Sequence, residues 1–199
     1  MTTDYDIFQK IKTHLLTQKH RSKLSYNSDS CAYRGISEAE MDKIYINYPN
    51  TDMDEDEYIT VEELIQELPY ESSCAVGCII KDKFYKDELE ENAADEPKVL
   101  VAVIESNPEW NLTGNSVHMM MLLQRIHDVG DTNTWEESFN ELDNCFLDGS
   151  FIPEKMQHFV ILNEKFNDSL TRFTQDTKVT ELYLSKIEKA KEIIKINNS

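Results

Sequence analysis

Lys98-Val99-Leu100-Val101-Ala102-Val103-Ile104 is the stretch on which the fold class turns. Its β-branched content suits a strand, whereas an uncharged apolar run between helical neighbours suits a short buried helix. Pro97, just before it, is expected to break the chain. Its neighbours carry helical periodicity, so we read 98–104 as a helix. The chain is then mainly α: a single compact helical domain with at most a small β element.

Downstream, Ser116 to Asp128 places Val117, Met120, Met121, Leu123, Gln124, Ile126 and His127 around most of a helix circumference, which predicts a central helix stopped by Gly130. Thr134-Trp135-Glu136-Glu137 has capping-box spacing, and Trp135, Phe139, Leu142, Cys145 and Phe146 carry the next helix toward Gly149. Pro153 suits a first helical turn, and Met156, Phe159, Val160, Leu162, Phe166, Leu170 and Phe173 continue helically. The last helix, about 177–196, buries Val179, Leu182, Tyr183, Ile187, Ala190, Ile193 and Ile194 on one side. Residues 150–199 form a C-terminal helical extension.

Upstream, Asp82 to Leu89 is expected to be a helix with Phe84 and Tyr85 docking inward. Before it lies Cys74-Ala75-Val76-Gly77-Cys78-Ile79-Ile80, small and apolar, and expected to be buried within the most acidic part of the chain. Residues 4–19 read as an amphipathic helix with Ile7, Phe8, Ile11, Leu15 and Leu16 on its stripe and Thr3 as N-cap. Residues 36–71 read as an acidic insertion within the one domain 1–199. Two capping boxes, at Ser37 and Thr60, flank an exposed loop over 47–57. Without the insertion the two cysteine-bearing segments, near Cys31 and Cys74, would meet.

The 199 residues carry a net charge of −18, and nine Tyr, eight Phe and two Trp can fill a core of one-domain size. Between Asp52 and Glu96 sixteen acids face three Lys and no Arg, a local −13, whereas residues 1–34 carry a local +3. Such acidity repels nucleic acid and anionic membranes and suits a protein partner with a basic surface. The candidate binding residues are Asp52, Asp54, Glu55, Asp56, Glu57, Glu62, Glu63 and Glu67. No secretory start opens the chain, so reduced thiols in a cytoplasm are expected. Oligomeric state is left open.

The candidate chemistry is sparse. Cys74 and Cys78 form the close thiol pair, and Cys31 with His127 or His118 could complete a zinc set of Cys31, Cys74, Cys78 and His127. Structural zinc sites usually present two tight ligand pairs, and one is present, so we expect buried thiols and no cofactor. An enzyme would use Cys74, His127 and Cys31, a thiolate activated by a nearby imidazole. His127-Asp128 resembles half of a His-Asp metal site, but an imidazole bonded to a backbone carbonyl accounts for it. No phosphate-binding Gly-rich loop is present among five Gly, which argues against catalysis.

These residues resemble a family of small proteins encoded by tailed bacteriophages. The resemblance runs through His14-Leu15-Leu16-Thr17-Gln18 with Ser22, Cys31-x-Tyr33-Arg34-Gly35, Cys74-Ala75-Val76-Gly77-Cys78 with Tyr85, and Leu123-Gln124-x-Ile126-His127-Asp128 with Trp135. In compact members of that family the Cys-x-Tyr-Arg-Gly segment leads almost directly into Cys-Ala-[Val/Ile]-Gly, so residues 36–71 are the departure here. The resemblance implies an accessory protein made in the host bacterial cytoplasm and no established reaction. Length and acidity also resemble T-even-type accessory proteins that neutralise host toxins such as DNA-modifying ADP-ribosyltransferases, that is, anti-DarT-like proteins. The expectation is an inhibitor of a host defence or toxin protein. The alternatives are a small Cys/His-dependent enzyme and a virion or assembly component.

Overall fold

A computed structural model describes residues 2–18, 20–23, 32–37, 40, 42–44, 72–90, 92–129, 132–158 and 177–199. Five α-helices have both ends described: α1 (Asp4–Gln18), α2 (Pro97–Ser106), α3 (Gly114–Val129), α4 (Trp135–Asp143) and α5 (Thr177–Asn197); residues 40 and 42–44 are also helical. Two short antiparallel pairs join them, β1 (Ser22–Lys23) with β2 (Ile36–Ser37), and β3 (Phe146–Leu147) with β4 (Ser150–Phe151). The fold is mainly α with a small β content. The second capping box, the loop over 47–57, the helical run from Phe159 to Phe173, Gly130, Cys31 and the eight candidate acids from Asp52 to Glu67 lie outside the described residues.

Lys98–Ile104 is helical, inside α2, and Pro97 begins that helix rather than breaking the chain. Proline at a helix start loses no hydrogen bond, because the first amides have no intrahelical acceptor. Burial decides the matter: Val99, Leu100, Ala102 and Val103 are at most 3 % exposed, and a helix satisfies the backbone of such a run internally.

Helix α3 is the central element. Val117, Met119, Met120, Leu122, Leu123 and Ile126 are all buried along it. Its start is a reciprocal cap, with Thr113 N donating to Ser116 Oγ at 2.8 Å and Ser116 N donating to Thr113 Oγ1 at 3.1 Å. Asp4 at the start of α1 accepts from Ser116 Oγ at 2.5 Å and from Phe151 N at 3.0 Å, so one carboxylate ties together α1, α3 and the β3–β4 hairpin. Thr3 caps α1 as its sequence predicts, exchanging bonds with Asp6. Helix α5 packs on α2 and α3 through Tyr183, Ile187 and Ala190. Its Lys186 reaches Asp95 at 2.5 Å and Glu96 at 3.3 Å beside the start of α2.

Three local expectations are corrected. The helix carrying Trp135 ends at Asp143 instead of continuing toward Gly149. Asp148 and Gly149 both have positive φ, 49° and 80°, and turn the chain into the β3–β4 hairpin. An Asp-Gly pair with positive φ at both positions matches the twist of a two-residue hairpin, and here that outweighs the helical spacing of Cys145 and Phe146. Thr134 does not cap α4: it has helical φ/ψ and no side-chain capping bond, because the short turn Thr132–Thr134 already leads into the helix. Asp82–Leu89 is two single turns, Asp82–Phe84 and Asp87–Leu89, separated by extended residues. The anchors described next hold that segment open.

Candidate functional site

Cys74–Ile80 folds as a tight buried turn whose last part, Gly77–Ile79, is 3₁₀. It carries few side-chain hydrogen-bonding groups of its own, so neighbouring polar side chains satisfy its backbone. Arg34 serves two of its carbonyls. Its Nη1 donates to the Gly77 carbonyl at 2.7 Å, while Nη2 donates to the Ile80 carbonyl and to Asp82 at 3.1 Å. The guanidinium also lies over the Tyr85 ring. A planar fork suits two carbonyls at once, which an ammonium cannot match. Asp82 is almost fully exposed, so its ion pair adds little.

Glu90 fixes the segment that supplies Arg34. It accepts from the backbone N–H of Tyr33 and Arg34 at 2.8 and 2.9 Å and from the Tyr85 hydroxyl at 2.8 Å. Burial raises its carboxyl above the ordinary range, and these three donors work against that rise. From α2, Asn107 Nδ2 donates to the Ile79 carbonyl at 2.8 Å and Ser106 Oγ accepts from Lys81 N at 2.8 Å. From α3, Gln124 Oε1 accepts from Val76 N at 3.1 Å. From α1, Gln18 Oε1 accepts from Ser73 N at 3.0 Å, and His14 Nε2 lies 3.2 Å from the Ser73 carbonyl and 3.1 Å from its hydroxyl. The turn is the hub on which α1, α2, α3 and the 32–37 segment are fastened. Gly35 and Ser72, which flank residues 36–71, exchange both backbone bonds at 3.0 Å, and Cys74 N donates to the Ala32 carbonyl at 3.1 Å.

The predicted chemical residues sit inside this frame. Cys74 is wholly buried and its sulfur accepts from Gly77 N at 3.2 Å. The Cys78 thiol donates to the Ala75 carbonyl at 3.1 Å, and burial beside Cys74 pushes it far above the ordinary thiol range, so it stays protonated. Burial also raises Cys145, to about 11. His127 is wholly buried, but its partner is the Asp128 carboxylate at 3.1 Å rather than the backbone carbonyl expected. Gln124 Nε2 holds the same Asp128 oxygen at 2.8 Å. The imidazole packs against Trp135 with ring centroids 5.2 Å apart, and its Nε2 has no partner among the described residues. Among the described residues no three His, Cys, Asp or Glu side chains are placed to hold a metal ion.

The described surface carries an acidic recess along α4. This shallow, open depression of about 540 Å³ is lined by Asn133, Glu136, Glu137, Asn140, Glu141 and Asn144, on the outward face of α4 and beside its two ends. The three-and-four spacing of these residues carries the signal, since it is the wet stripe opposite Trp135, Phe139 and Leu142. No local pattern in the sequence marks Glu90, Asn107 or Ser106. No described helix is long and apolar enough to cross a membrane. No family model matches the chain, and no curated protein or solved structure matches it either.

Proposed function

We propose that the protein is a phage-encoded accessory protein of the host cytoplasm that binds and inhibits a host defence or toxin protein. Its acidic surface would meet a basic, nucleic-acid-binding face of the partner. The observation that carries this reading is the charge, 38 acids against 20 Lys and Arg, together with an acidic recess on α4. The buried frame supports it from the other side. Arg34, Gln124, Asn107 and His14 bond to the backbone of the hub, Glu90 bonds to the backbone of Tyr33 and Arg34, and Cys74 and His127 are sealed from solvent. Complementary charge speeds encounter and selects the partner.

The test is direct binding to a DNA-modifying ADP-ribosyltransferase toxin, at low salt and at high salt. Binding that weakens as salt rises, and that falls further when Glu136, Glu137 and Glu141 are changed to Lys, is the expected result. No binding, or binding indifferent to salt, overturns the reading. One observation favours a second reading, a Cys/His-dependent enzyme: Asp128 orients His127 and leaves Nε2 without a partner among the described residues. Cys74→Ala and His127→Ala separate the two readings. Loss of function at unchanged thermal stability marks chemistry, and matched losses of both mark core residues.

A further inference from the structure

The hub is fastened to α1 and α3 by two chains of polar groups that end in histidines. On the α1 side His14 contacts Ser73 through Nε2, and Gln18 accepts from Ser73 N while donating to the His20 carbonyl at 2.8 Å. On the α3 side Val76 N leads to Gln124, Gln124 to Asp128, and Asp128 to His127. Four residues of backbone, 73–76, therefore separate the two chains. Beside them His20 Nε2, Ser22 Oγ and His127 Nε2 are buried without a partner among the described residues.

We propose that His14 and His20 form a proton-operated latch: neutral, they hold residues 72–76 against α1, and acidification releases that segment. The warrant is the kind of neighbour each imidazole has. A proton added to His14 meets the Arg34 charge in the 32–37 segment, and one added to His20 meets His14 once that ring is protonated. Arg21 adjoins His20, and Lys10 lies one turn before His14 on α1. Asp128 is already shared between His127 and Gln124. From the hub itself His14 meets the neutral Ser73. Burial, the largest cause, and these like charges hold His14 and His20 below the ordinary imidazole value. A lowered imidazole value means that the opened state takes the proton more readily. The latch is therefore closed at and above neutral pH and loses strength as pH falls below the ordinary value of 6.5.

Hydrogen exchange read by mass spectrometry on the full chain tests this, at pH 7.5 and 5.5, with rates corrected for intrinsic pH dependence. The expected result is a loss of protection of roughly tenfold or more over residues 72–80, with α2 keeping its protection, since one unit below an imidazole's ordinary value is a factor of ten. The double variant His14→Gln, His20→Gln keeps an amide donor for Ser73 and has nothing to protonate, so its protection over 72–80 should be equal at the two pH values. Unchanged protection in the parent, an equal drop in every helix, or a drop that persists in the double variant each overturns the proposal. Should the double variant not fold, imidazole NMR titration of the parent decides. His14 and His20 must titrate below 6.5 and in step with the loss of protection, and titration at the ordinary value without opening refutes the latch.

Discussion

Gly77→Ala is the substitution that most severely tests the hub. The residue is buried in the turn, and its φ lies outside the left-handed region, so the demand is for space. A Cβ there would sit 2.1 Å from the Tyr33 carbonyl oxygen and 2.8 Å from both the carbonyl carbon and Cα of Tyr33. Relief needs a shift of at least about 1.3 Å to reach ordinary contact. The obstacle is backbone, and it is pinned. Tyr33 N is held by Glu90 at 2.8 Å, and the Tyr33 hydroxyl donates to the Asn92 carbonyl at 2.8 Å. Moving Gly77 instead pulls its carbonyl from Arg34. Overpacking of about 1–3 kcal/mol, plus a charged hydrogen bond of about 1.5–3 kcal/mol, gives a loss of about 2.5–6 kcal/mol. Against a total stability of roughly 5–15 kcal/mol that is a large fraction. Urea unfolding followed by circular dichroism measures it, with Gly149→Ala as comparison. That second site has φ +80° but meets only the Thr3 side chain, at 2.9 Å, so strain of about 1–2 kcal/mol is expected there. A loss below about 1 kcal/mol at Gly77 would refute the idea that the turn is clamped between Tyr33 and Arg34.

Three further outcomes follow from the same geometry. Arg34→Lys should cost nearly as much as Arg34→Met, about 2–3 kcal/mol in thermal or urea unfolding, because neither replacement can serve the Gly77 and Ile80 carbonyls together. Gly114→Ala should destabilise the docking of α5, since its Cβ would lie 2.4 Å from the Thr180 carbonyl oxygen; overpacking of about 1–3 kcal/mol exceeds the helix propensity gained, and limited proteolysis of α5 should report it first. His118 is buried against Phe151 and Tyr183, and burial, offset in part by Glu154, holds it down to about 4. Its neutral form then contributes stability that is complete above 6.5 and is lost as pH falls toward 4, by about 3 kcal/mol in all, and His118→Leu should flatten that part of the profile of urea midpoint against pH.

The helices were legible because their signals are local. The stripes of α1, α3 and α5 and the N-cap at Thr3 each lie within a turn or two of sequence, and the structure places Ile7, Phe8, Ile11 and Leu15 in the core as that stripe requires, whereas Leu182, expected on the buried side of α5, is 53 % exposed. Lys98–Ile104 was harder, since β-branched content and burial pull in opposite directions and tertiary context decides. The hairpin at Asp148-Gly149 was legible in principle, but Phe139, Leu142 and Phe146 also fit a helical period and masked it. The hub's polar frame is another matter. Glu90 meets Tyr33 across 57 residues and Gln124 meets Val76 across 48, and no spacing rule links such pairs. Arg34, Gln124 and His14 could be noticed through resemblance, whereas Glu90, Ser106 and Asn107 emerge only when the turn's backbone donors and acceptors are each assigned a partner.

That assignment bears on what the acidity is for. The described cations with large structural roles are few. Lys12 reaches Asp143 at 2.5 Å, Lys186 bridges Asp95 and Glu96, and Arg34 is spent on carbonyls. Thirty-eight acids against 20 cations leave a net charge of −18 that the fold does not need for its core and that repels itself. Salt separates the two roles by sign. Screening relieves self-repulsion, so added salt should raise the melting temperature of the free protein, while the same screening should weaken a complex held by charge complementarity. Glu136→Lys with Glu141→Lys should move both quantities in a matched way, with higher stability at low salt, a smaller salt response and weaker binding. If those changes stabilise the free protein and leave partner binding intact, the acidic face of α4 is a solvated surface and the partner is met elsewhere.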